Sequence, residues 1–256
     1  MPLDGFCILG GIHGRTPDQR WFDGPIVSGF QVRYVQWFDL THPLETDMPV
    51  YPGTEPVSVE RTATLDGDGY RTTRLNLDSH AGTHVDAPAH LTDGPSLGEF
   101  PLDRFRFSAA VADLRPLAPR EAVDGDALRD AVAADPANVD LLAVQTGWDD
   151  HWGTDRYFDH PSLTADAATW LASTECDLGV DTVNPDPTPT ESPTDAEPDG
   201  FPVHELLFEA NRLIVENLRG LDRLPDRFEL HAYPLRFESA DASPVRAVAF
   251  PDDTGG

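Results

Sequence analysis

Lysine is missing altogether. All 18 basic residues are arginine, against 45 Asp and Glu, and the net charge is −27. A surface of that sign repels polyanions and anionic lipid, which argues against nucleic acid or a membrane as partner. Cysteine is almost missing too: Cys7 and Cys176 stand far apart without a CxxC pair. They offer neither a disulfide framework nor a thiolate zinc site, so any metal must be held by histidine and carboxylate. No run of about 18 apolar residues occurs, which excludes a spanning helix, and the first thirty residues lack the basic start and apolar block of a secretory signal. The expectation is a soluble, cytoplasmic protein.

What is present argues for a packed domain. Of the 256 residues 39% are hydrophobic, with 13 Phe and 5 Trp, more than an acidic disordered chain carries. The acidic excess then points to adaptation to concentrated salt, where self-repulsion is screened within about 3 Å at 1 M ionic strength.

Residues 1–33 hold scattered Gly and Pro without periodicity and read as an extension; 252–256 read as a tail, leaving 34–251 as the domain. Within it, strand patterns run over 36–40, Val57 to Leu65 and Tyr70 to Leu77, the last alternating Leu75 and Leu77 with Asn76 and Asp78 as a half-buried strand does. Residues 107–115 and 139–146 read as strands, with a helix between them from Gly125 to Ala134 capped by Asp124. A helix over 164–174 and a strand at Leu178–Asp181 follow, an α/β order. The Pro-, Thr- and acid-rich stretch from Asn184 to Gly200 reads as a mobile surface loop. Residues 204–211 read as a helix, and 213–218, 228–236 and 244–250 as strands.

The chemistry concentrates at His80-Ala81-Gly82-Thr83-His84-Val85-Asp86-Ala87-Pro88-Ala89-His90, where three of the nine histidines fall within eleven residues around an aspartate. Pro88 prevents a long helix, and Gly82 permits a close or left-handed turn. Imidazole and carboxylate suit zinc, manganese or iron. Thr83 and Thr92 carry hydroxyls able to orient a ligand. Spacing alone leaves open which histidine is the catalyst.

The pattern His-x-Gly-Thr-His-x-Asp-x-Pro-x-His resembles the signature of the cyclase family, which includes bacterial kynurenine formamidases (arylformamidases) and isatin hydrolases. Further matching pieces are Asp39-Leu40-Thr41-His42-Pro43, Met48-Pro49-Val50-Tyr51-Pro52-Gly53, Thr146-Gly147-Trp148, Gly179-Val180-Asp181-Thr182, Phe201-Pro202-Val203-His204, Ile214-Val215-Glu216-Asn217-Leu218 and Ser243-Pro244-Val245-Arg246-Ala247. The resemblance implies a single α/β domain of the swivelling β/β/α type, assembled as a homodimer or larger.

It also implies a site: His80, His84 and Asp86 as ligands of one divalent metal, Zn²⁺ or Mn²⁺, with Asp86 bridging to a second held by His204 and Glu216, and His90 as general acid/base. Glu216 needs a partner in any case, because a carboxylate inside the apolar strand Leu213 to Leu218 is costly to bury alone. The remaining five histidines are expected at the surface or in supporting positions. The implied activity is hydrolysis of an amide, an aryl formamide such as N-formylkynurenine in tryptophan catabolism. The alternatives are a cyclic amide such as isatin, or a metal-braced protein without catalysis.

Overall fold

Strand Leu141–Gln145 (β7) shows how the domain is layered. Leu141 and Ala143 pack into one apolar cluster with Phe107, Val215, Phe228 and Leu230, whereas Leu142 and Val144 pack into another with Leu128, Leu171, Leu207 and Ile214. A strand buried on both faces reads as a continuous apolar run, as this one does. The computed structural model describes residues 36–132, 139–189, 198 and 200–251, all within the unit Val35–Gly256. The extension 1–33 and the tail 252–256 lie outside the described residues.

In chain order the remaining strands are β1 (Phe38–Asp39), β2 (Ser58–Ala63), β3 (Thr72–Asn76), β4 (His84–Asp86), β5 (Arg106–Asp113), β6 (Ala122–Val123), β8 (Ser162–Leu163), β9 (Asp177–Val180), β10 (Ile214–Glu216), β11 (Arg227–His231), β12 (Ala242–Pro244) and β13 (Val248–Pro251). Among the described residues nine form one mixed sheet, ordered β1-β13-β11-β5-β7-β9-β10-β4-β12. Its centre, β5-β7-β9-β10, is parallel and its flanks are antiparallel. The helices are α1 (Leu65–Asp68), α2 (Gly125–Ala131), α3 (Ala165–Thr174) and α4 (Pro202–Glu209). The last three supply the second apolar cluster and cover one face of the sheet, giving the mixed, strand-rich α/β architecture expected. No described helix is long and apolar enough to cross a membrane.

Local chemistry sets several boundaries. Asp124 caps α2 by accepting from the Ala127 N–H, and Thr164 caps α3 in the same way. The strand expected over Val57 to Leu65 stops at Ala63 because Thr64 caps the single turn of α1, which Gly69 ends in the left-handed region. Strand β11 stops at His231, short of Pro234, which cannot donate to a ladder.

Two expectations fail here. Among the described residues strand β3 pairs only with β2 and is exposed along its whole length, Leu75 included, so its alternation does not mark a half-buried strand. The stretch from Asn184 does not begin as a surface loop, because Asn184, Asp186 and Thr188 are buried and hydrogen-bonded. Residues 190–197 and 199 of that stretch lie outside the described residues.

Candidate metal centre

Alternation along β4 and β10 assembles the site. Val85 and Val215 enter the first apolar cluster, so His84 and Asp86 turn to the opposite face, as does Glu216, which stands directly across the antiparallel pair from His84. Val203 and Leu207 of α4 pack on that same face, and His204 comes with them. The four groups are buried. Gly82 precedes β4 at φ +67°, where a Cβ would meet Leu44 and Met48 at 3.1 Å. Its carbonyl accepts from Asn217 Nδ2 at 3.0 Å.

The hydrogen bonds assign the ring protons. His84 Nδ1 lies 2.8 Å from the Gly82 carbonyl and His204 Nδ1 2.6 Å from Asp186 Oδ2, both acceptors, so each Nδ1 carries hydrogen. Each Nε2 then faces a carboxylate: His84 Nε2 stands 3.2 Å from Glu216 Oε2 and from Asp86 Oδ1, and His204 Nε2 stands 3.1 Å from Glu216 Oε1 and 3.8 Å from Asp86 Oδ2. His80 lies between two carboxylates, with Nδ1 3.0 Å from Asp86 Oδ1 and Nε2 3.0 Å from Asp241 Oδ2.

An imidazole nitrogen and a carboxylate oxygen this close are stabilised only when a proton or a metal cation lies between them. Burial opposes charge on His84 and His204, yet the neighbouring carboxylates outweigh it and hold both well above the usual imidazole range. Burial likewise opposes ionised Asp86, but the histidines beside it pull it well below the usual carboxylate value. Such a site stabilises positive charge. His84 Nε2 and both Asp86 oxygens are buried without a hydrogen-bond partner among the described residues. Two overlapping trios, His80–His84–Asp86 and Asp86–His204–Glu216, bring one ligand atom from each member within 4.8 Å of the others. Orphaned donors of nitrogen and oxygen at that spacing fit a divalent cation.

His90 stands at the edge of these trios and makes a third, only half-buried, with His80 and Asp241. It ends the single 3-10 turn Pro88–His90, its ring centroid lies 4.0 Å from that of His80, and its Nδ1 is 3.6 Å from Asp241 Oδ2. Burial and the neighbouring His80 lower its pKa, which leaves it neutral and able to take a proton. A cavity of about 250 Å³ opens over the site, walled on its apolar side by Val50, Tyr51, Leu91, Val183 and Phe201.

All six expected site residues therefore meet in one place. Among the described residues the Thr83 hydroxyl touches no expected ligand; it donates to the Asn217 backbone carbonyl at 2.6 Å and accepts the His42 N–H. Nor does Thr92 orient a ligand: its hydroxyl binds the Pro88 carbonyl and only closes the turn. Of the other histidines, His151 and His231 are part-exposed, while His42 is buried in a stack on Trp152 at 3.8 Å and His160 is buried on Thr188, outside the cavity lining. His13 lies outside the described residues. Sequence reasoning missed Asp186 and Asp241. Asp186 was hidden in an acid-rich stretch, and Asp241 carried no local signal beyond its place two residues before Ser243-Pro244.

The family model described as Cyclase matches residues 38–187. Among solved structures, isatin hydrolase A from Ralstonia solanacearum is 25% identical with a TM-score of 0.72, over 85% of this chain and 92% of that one. A potential metal-dependent hydrolase with cyclase activity is also 25% identical, with a TM-score of 0.68 over 86% of this chain and 99% of that one. An isatin hydrolase bound to the product analogue thioisatinate shares the fold at a TM-score of 0.74 and 24% identity, over 85% of this chain and 93% of that one. The family match spans more than half of the chain and includes the whole His80–His90 segment, and the chain belongs to the Cyclase family.

Proposed function

We propose that this chain is a metal-dependent hydrolase of an aryl amide, with an aryl formamide such as N-formylkynurenine as substrate and kynurenine and formate as products. The observation that carries the reading is the convergence of orphaned donors, His84 Nε2 and both Asp86 oxygens, beneath a cavity with an apolar wall. His80, His84 and Asp86 would hold one ion, and Asp86, His204 and Glu216 would hold a second, Asp86 being common to both sets. Zn²⁺ or Mn²⁺ suits these ligands. When bound, a divalent ion supplies a Lewis acid that acidifies water and polarises a carbonyl.

The chain's own groups do the rest. Tyr51, Phe201 and Leu91 take the aryl ring, which orients the amide over the ligand cluster. His90, neutral and beside that cluster, removes the proton of the attacking water and returns one to the leaving nitrogen as the C–N bond breaks, a role worth typically about 10²–10⁴ in rate. Association of two or more copies belongs to the same proposal, and sedimentation tests it.

A second reading, opening of a cyclic amide such as isatin, is favoured by one observation. No arginine is among the described lining residues, so nothing there pairs with the amino-acid carboxylate of formylkynurenine, whereas isatin carries no such charge.

The experiment assays formate release from N-formylkynurenine and ring opening of isatin in molar KCl with added Zn²⁺ or Mn²⁺. Formate release supports the first reading, and ring opening alone supports the second. Failure of both, or turnover by a metal-free preparation indifferent to chelator, overturns the hydrolase reading in favour of a metal-braced binding protein.

A further inference from the structure

Beyond His84 and Asp86, the cavity lining includes two further residues whose side chains hold buried polar atoms without a partner among the described residues, Tyr51 with its hydroxyl and Asn184 with its side-chain oxygen. For Asn184 the hydrogen bonds behind it decide which end of the amide is spoken for. His160 Nδ1 lies 2.7 Å from the Pro161 carbonyl, which can only accept, so Nδ1 carries the ring proton. Burial lowers the His160 pKa to about 4, and near neutral pH its Nε2 is an acceptor. The Thr188 hydroxyl, 2.7 Å away, donates to it. With that proton committed, Thr188 Oγ1 can only accept from Asn184, whose Nδ2 stands 3.0 Å away. The amide cannot flip without losing this chain. The Thr182 hydroxyl, bonded to the Asn184 carbonyl at 2.8 Å, holds the backbone in place. What remains is Oδ1 of a residue 3% exposed, an acceptor that lacks a donor and is held in that orientation by three residues. Burying an amide oxygen unsatisfied is unfavourable unless a ligand completes it.

We propose that Asn184 is a specificity-determining residue: its side-chain oxygen accepts a hydrogen bond from the N–H of the amide substrate, so that amides with a free N–H are taken and N-alkylated amides are rejected. This rests on the hydrolase reading, and both substrates named above carry such an N–H. Tyr51 cannot make that selection, because a phenol hydroxyl serves as donor or acceptor. Asn184, with its donor end committed, can.

The test compares isatin with N-methylisatin and formanilide with N-methylformanilide on the full chain, loaded with Zn²⁺ in molar KCl. Both kcat/KM and Kd, the latter from tryptophan fluorescence, are read. Wild type should favour the N–H member of each pair roughly ten- to hundredfold. Asn184→Leu, which keeps the branched shape of the side chain but has no acceptor, should bring each ratio to within about threefold, the loss falling on the N–H compound. A preference that survives in Asn184→Leu would reflect the bulk of the methyl group and overturn the proposal, as would a wild type that treats both members alike. If Asn184→Leu does not fold, Thr188→Val takes its place, since it frees the amide to rotate and should erode the preference too; an intact preference there counts against the proposal. Absence of turnover with all four compounds sinks the hydrolase reading instead, and the Kd ratios then decide this inference. Equal binding, or none, overturns it.

Discussion

His84 and Glu216 occupy directly opposed positions of the antiparallel pair β4/β10, with His84 Nε2 3.2 Å from Glu216 Oε2. Two strands distant in sequence thus bring an imidazole nitrogen against a carboxylate, and the pairing makes sense as two sides of a cation site. Glu216→Gln removes the charge and little else. Metal analysis of the purified variant should show about one divalent ion fewer per chain than wild type. An unchanged metal content would remove Glu216 from the ligand set.

His90 makes a separable prediction. His90→Ala should keep its metal while kcat falls by about 10²–10⁴-fold. Burial and His80 place the His90 pKa below 6.5 in the folded protein, and a bound cation pushes the same way. A base of that kind is active once deprotonated, so kcat/KM should rise with pH along a limb centred below 6.5 and stay flat above it. Full activity in the alanine variant would assign the proton transfer elsewhere.

Asp186 serves two partners at once. It accepts from His204 Nδ1 at 2.6 Å and from the backbone N–H groups of Val203 and His204 at the start of α4, so it aims both the ring and the helix. Asp186→Asn should weaken divalent-metal affinity by roughly 10–100-fold in a competition titration with a chelating dye. Equal affinity would mean that the ring is oriented without it.

His160 predicts a pH dependence of stability. Its folded pKa of about 4 lies below the ordinary 6.5, so the unfolded chain binds a proton that the folded chain refuses. Stability is retained above pH 6.5 and lost as pH falls toward 4. Between pH 7 and pH 5 this one group should account for about 2 kcal/mol in urea unfolding. Asp181, raised to about 7 by burial, works in the opposite direction. The contribution of His160 is therefore read as the difference between wild type and His160→Gln at the two pH values. A pH slope unaltered by the substitution would show that the ring titrates freely.

The charge of −27 makes a global prediction. Self-repulsion among surface carboxylates is screened within about 3 Å at 1 M salt but over about 30 Å at 0.01 M. The melting temperature should climb steeply from dilute buffer to molar KCl. Identical melting at both would end the inference of salt adaptation.

The candidate metal segment was legible because its chemistry is local: three histidines and an aspartate fall within eleven residues, with Gly82 at the turn and Pro88 stopping a helix, a pattern visible before any folding. Strands β5 and β7 and helices α2 and α3 were legible for a similar reason, as apolar runs and Asp or Thr caps act within a few residues. The exposed strand β3 was misread because alternation says which residues share a face, but not whether anything packs on that face.

The sequence by itself determined the net charge, where the candidate metal-binding groups cluster and where most of the described helices and strands lie, since composition, capping and periodicity are short-range properties. Only the tertiary structure decided that Asp186, inside an acid-rich stretch that reads as solvated loop, is buried against His204; that Asp241 lies between His80 and His90; and that the Asn184 side-chain oxygen has no partner among the described residues. Those facts depend on the register of β4 against β10, the seating of α4 on the sheet and the docking of 184–189 against the start of α4 and against His160. Each is a long-range packing outcome, set by which apolar faces meet rather than by any residue's own neighbours.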